Sequence, residues 1–130
     1  MILIPVSVGE LIDKITILTI KQERITDPKK LKNINHELAL LNKEFGDIPY
    51  TDVRNLMNSQ LIDQLKAVNN QLWDIENYKR AMEKDQNFGD GFINAARQVY
   101  LKNDERARIK SEINELTKSP IKEEKEHNYK

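Results

Sequence analysis

The chain has 130 residues, 38% of them hydrophobic and 32% charged, with four glycines, four prolines and no cysteine. That length suits one domain with a substantial core, and many charges with few helix breakers are the composition of long helices. The 21 basic residues balance 21 acidic ones, which disfavours a nucleic-acid binder working by phosphate neutralisation, and the absence of cysteine excludes disulfides, thiolate metal sites and thiol nucleophiles.

The start has no basic stretch ahead of an apolar core, so no secretory signal is expected. No run approaches the roughly 20 apolar residues that span a bilayer. Membrane insertion is therefore not expected, and the expectation is a soluble, cytoplasmic protein.

Ile2-Leu3-Ile4-Pro5 reads as a short extended lead-in, lying against the helices as a strand or a cap. Ser7 then has the position of an N-cap, Glu10 that of its capping-box partner, and Val6 and Leu11 that of a hydrophobic staple. The first helix is predicted from Val8 to Ile25. Val8, Leu11, Ile12, Ile15, Leu18 and Ile25 form a broad apolar stripe, with Ile17 and Ile20 off it. Asp27-Pro28 is a strong start signal for the second helix, Pro28 to Phe45. Its seam is Leu31, Ile34, Leu38, Leu41 and Phe45; Gly46 stands at the C-cap and Pro49 prevents continuation.

A third helix is predicted from about Thr51, with a seam of Met57, Leu61, Leu65, Val68, Leu72, Ile75 and Met82 at about the coiled-coil period of 3.5. Asn58-Ser59 is the place where it can break. Residues 85–90 form a loop, with Gly89-Asp90 as turn and N-cap. The fourth helix runs from Gly91 to Thr117 and stops at Ser119-Pro120. The expected fold is all-α: two antiparallel helical hairpins forming a four-helix bundle with coiled-coil character over residues 1–117, then a charged, flexible tail over 118–130 that Ile121 or Tyr129 can anchor. Helices one and two would be about 27 Å long and helices three and four about 40 Å. That mismatch, with off-face Ile17, Ile20 and Leu40, points to a homodimer.

Chemistry-bearing residues are few. His36 and His127 are isolated, and no His or Cys pair has ligand spacing. Gly89-Asp90-Gly91 lacks the strand and lysine of a phosphate loop. No catalytic residue, metal or cofactor is expected, and the balance leans away from an enzyme. The fourth helix does interrupt its apolar stripe (Phe92, Ala95, Ala96, Val99, then Ile109, Ile113, Leu116) with Asn103, Arg106, Lys110 and Asn114. Two readings stand. In one, the long cations lay their stems on the core with their heads in water, and Glu76-Arg80 is a surface i,i+4 pair. In the other, Lys14, Arg97, Arg106 and Lys110 line an interhelical pocket for an anionic small molecule, oriented by Asn103 and Glu76. Trp73, Tyr78 and Tyr100 have the spacing of core or core-edge aromatics.

The blocks VSVGELIDKITIL at Val6 to Leu18, LWDIE at Leu72 to Glu76, ND-x-R at Asn103 to Arg106 and IN at Ile113-Asn114 together resemble a family of uncharacterised bacterial proteins of this size, a domain of unknown function. The resemblance spans nearly the whole chain. It implies a surface-polysaccharide setting, because such members are sometimes found with glycosyltransferase or tetratricopeptide-repeat modules, and it brings no catalytic residues. The Lys/Asn/Ile-rich composition suits an AT-rich genome, bacterial or phage. Ile12-Asp13-Lys14 with Ile15, Leu18 and Arg24 is also similar to the first helix of all-α chorismate mutases, over that helix alone. The leading expectation is a non-catalytic helical interaction or scaffold module, homodimeric and open to a protein partner. The alternative is a binding protein or enzyme for a sugar phosphate or nucleotide-sugar.

Overall fold

A computed structural model describes residues 1–125. The all-α expectation holds, with five helices among the described residues instead of four: α1 (Val8–Arg24), α2 (Pro28–Gly46), α3 (Tyr50–Met57), α4 (Leu61–Lys84) and α5 (Asp90–Thr117). The predicted third helix breaks at residues 58–60. Ser59 Oγ donates to the Leu56 carbonyl at 2.7 Å and accepts from the Leu61 amide at 3.3 Å. One hydroxyl thus closes α3 and helps open α4, the competition with helical hydrogen bonding that serine offers. The break shifts the phase of the seam: Leu56 is fully buried, whereas Met57 is exposed.

The starts of the first two helices follow from their caps. Ser7 Oγ accepts from the Glu10 amide at 3.0 Å, and Asp27 caps α2 by accepting from the Lys29 amide at 3.0 Å. α5 begins one residue earlier than expected, with Gly89 at the cap and Asp90 already helical. An acid in the first turn complements the helix dipole there. Gly46 remains helical, and the chain leaves α2 through Asp47 in the right-handed region; the glycine is not used as a left-handed cap.

α1 is the centre of the molecule. It packs against α2, α4 and α5, whereas the backbone of α2 runs close to α1 alone among the described helices, with Phe45 at its end packed against the central core. One core cluster joins Ile12 of α1 to Leu56, Leu61, Leu65, Val68, Ile109 and Ile113; a second joins Leu18 to Ile34 and Leu38 of α2. α1 therefore carries two separate apolar contacts. It also buries a third stripe, Gly9, Asp13, Thr16 and Ile20. Ile20, off the predicted face, is covered within its own chain and needs no second copy.

At 1.5 Å per residue α4 and α5 are about 36 and 42 Å long against about 26 Å for α1, so the α4–α5 arm extends past the centre. The lead-in leaves the side chains of Met1, Ile2, Leu3 and Ile4 exposed and does not cover the bundle. After α5, Lys118 takes a left-handed conformation and Ser119 is buried, its Oγ accepting from the Val8 amide at 3.2 Å. Glu123 then accepts from Ser7 Oγ at 2.6 Å. His127 and Tyr129 lie outside the described residues.

Candidate functional site

The polar centre of the molecule is the third stripe of α1. Gly9 lets α5 approach closely: a Cβ there would lie 2.6 Å from the Lys110 carbonyl oxygen and 2.9 Å from Asn114 Oδ1. The Gly9 amide donates to that same Asn114 oxygen at 2.7 Å. One turn on, Asp13 is fully buried between α1, α4 and α5. Arg106 grips it with two nitrogens: Nε donates to Oδ1 at 2.9 Å, and Nη2 to Oδ2. Asn69 Nδ2 donates to Asp13 Oδ1 and to Thr16 Oγ1, each at 2.9 Å. The third guanidinium nitrogen reaches Asn103 Oδ1 at 3.3 Å.

Burial pushes the Asp13 carboxyl up. Hydrogen bonds from Arg106 and Asn69, with the charges of Arg106 and Lys110, outweigh it and hold the group below the ordinary aspartate value. The hydrogen bond to Asp13 raises Arg106 in return. Lys110 donates to Glu10 Oε2 at 2.5 Å and lies 3.9 Å from Asp13. Glu123 is pushed up by burial and brought below the usual glutamate value by Ser7, its own amide, Asn114 and Lys110. Among the described residues no buried side-chain nitrogen or oxygen lacks a partner.

Of the six residues expected to line an anion pocket, Asn103, Arg106 and Lys110 converge on α1. The heads of Arg106 and Lys110 point onto the carboxylates of Asp13 and Glu10, while Asn103 accepts from Arg106. Lys14 is 48% exposed and 3.7 Å from Glu10; the residue beside it, Asp13, is the buried one. Arg97 is exposed. Glu76 is 3.6 Å from Lys79.

Two clefts flank Arg106. The first, about 450 Å³, lies between α1, α4 and α5, with Ile17, Leu72 and Trp73 among its lining and Glu76, Arg80 and Asn103 as polar members. Arg24 stacks on the Trp73 ring with 5.8 Å to the centroid. The second, about 520 Å³, lies between α5 and residues 123–125, where Glu123, Glu124 and Asp104 offset Lys110 and Lys125. No cluster of three metal-ligating side chains occurs among the described residues, and no helix there is long and apolar enough to cross a membrane.

A family model described as a family of unknown function (DUF6165) matches residues 2–130. The chain belongs to the DUF6165 family. No curated protein and no solved structure matches it. Membership of DUF6165 brings no activity, so the chemistry of this member rests on its geometry. The residues that sequence reasoning missed are Asp13 and Thr16. Their one signal is the recurrence of Gly9, Asp13, Thr16 and Ile20 at i, i+4, i+7 and i+11, a helical face that is small or polar until its last member.

Proposed function

We propose that this DUF6165 domain is a non-catalytic helical module that acts by docking helix faces on protein surfaces, its own second copy included. One observation carries this reading: the cations placed to receive an anion are already neutralised inside the chain. Arg106 spends its guanidinium on Asp13 and Asn103, and Lys110 lies on Glu10. An incoming anion would have to displace a buried carboxylate, leaving an unpaired interior charge at a cost of several kcal/mol, about 3–5. Meanwhile the α4–α5 arm leaves Tyr78, Phe88, Ile93, Tyr100 and Leu101 exposed, the kind of surface that marks interaction sites.

A second reading, a binder of an anionic metabolite, draws on the first cleft, whose size falls in the range of ligand pockets and which brings Arg80 to Glu76, Asn103 and Arg106. A thermal-shift panel of phosphorylated sugars, nucleotides and nucleotide-sugars separates the two. The interaction module gives no ligand-dependent rise in Tm. A saturating rise with one ligand class transfers the function to the cleft.

A further inference from the structure

Among the described residues, α5 leaves one face largely uncovered, with Lys125 at its Asp104 end. Ile93, Arg97, Tyr100, Leu101 and Asp104 recur at i, i+4, i+7, i+8 and i+11, so they share a side of the helix, turned away from buried Ala95, Ile109 and Ile113. Ile93, Tyr100 and Leu101 are 53%, 48% and 44% exposed. Arg97 is exposed and forms no ion pair among the described residues.

We propose that this face docks a second copy of the chain, α5 against α5, antiparallel about a two-fold axis passing between Tyr100 and Leu101. The proposal rests on the interaction-module reading and gives it a surface and an occupant. Charge complementarity selects a second copy. In an antiparallel two-fold pair, residues equidistant from the axis face each other. Arg97 and Asp104 each stand about 5 Å along the helix from that axis, at 1.5 Å per residue. Arg97 of each copy therefore meets Asp104 of the other, twice per dimer, while Tyr100 packs on Leu101 between the two pairs. A parallel arrangement would set arginine against arginine and aspartate against aspartate.

Neighbouring charges leave room for this pairing. Arg108, beyond Asp104, already holds Glu112 at 2.7 Å. Asp104 takes Lys125 at 2.9 Å, with both side chains more than a third exposed. Exposed pairs of that kind contribute little to stability, so exchanging Lys125 for Arg97 of a second copy costs little. The face also lies outside the Asp13 network, so substitutions on it leave the fold intact.

Sedimentation velocity on the full chain, with circular dichroism to verify helicity, tests the surface. The wild type is expected to be a dimer at micromolar concentration. Arg97→Asp and Asp104→Arg each create two like-charge contacts and are expected to weaken dimerisation at least about ten-fold. An equimolar mixture of the two variants sets an acidic face against a basic one and is expected to dimerise again, as is the double variant Arg97→Asp/Asp104→Arg. A wild-type dimer that neither single variant weakens overturns this surface and leaves the interaction-module reading standing. A wild type monomeric up to hundreds of micromolar overturns the second-copy assignment, also where another protein is captured on this face. The interaction-module reading then stands or falls separately on the ligand panel.

Discussion

Asp13 and Arg106 form a two-point ion pair that ties α1 to α5, the carboxylate fully buried and the guanidinium side chain 29% exposed. The two ends differ in what happens when the other is removed. Without Arg106, Asp13 is left in the interior with Asn69 and with Lys110 at 3.9 Å. Without Asp13, Arg106 can turn its head to water. Arg106→Leu is therefore expected to destabilise by about 3–5 kcal/mol, as for a stranded buried charge, and Asp13→Asn by about 1.5–3 kcal/mol, as for a lost charged hydrogen bond. Urea denaturation of the two variants checks the order; equal losses, or the reverse order, contradict it.

The close approach of α1 to α5 at Gly9 predicts opposite outcomes for two glycine substitutions. At Gly9 an added methyl meets the Lys110 backbone and Asn114, whereas at Gly46 nothing lies within 4 Å. Gly9→Ala should force the helices apart and cost about 1–3 kcal/mol, the overpacking range. Gly46→Ala, in a helical conformation, should be neutral or stabilising by up to about 1 kcal/mol. Thermal melts of the pair suffice.

Acid should unfold the protein partly through Asp13. Its folded pKa lies below the ordinary 3.8, so its contribution is complete above that value and is lost as pH falls through the folded one. Glu123, also lowered from its ordinary 4.5, adds to the same limb. Denaturant titrations at a series of pH values between about 7 and 2.5 should show stability falling below about pH 4.5, with a shallower fall in Asp13→Asn. A limb unchanged by that substitution contradicts the role given to Asp13.

Much of the fold was legible because apolar periodicity and caps carry it. The α2 seam, the Ser7 and Asp27 caps and the stop after Thr117 follow directly from side-chain chemistry. The break at Ser59 was visible only as a possibility, since serine is tolerated inside helices as well as at their ends. The centre was not legible. Hydropathy ranks Asp13 and Thr16 as solvent-facing, and their burial depends on Arg106 and Asn69, distant in sequence. Lys14 drew attention as a cation beside an apolar stripe, but the unpaired-looking charge was the outward one. Arg106 and Lys110 were recognised, while the carboxylates that receive them were not, so a closed network resembled an open pocket.

A double-mutant cycle on Asp13→Ala and Arg106→Ala, measured by chemical denaturation, tests most directly whether these charges are spent on each other. If they are, the two losses are strongly non-additive, with a coupling of about 1–3 kcal/mol. A coupling near zero would mean that Arg106 is free of Asp13 in solution and available to a ligand.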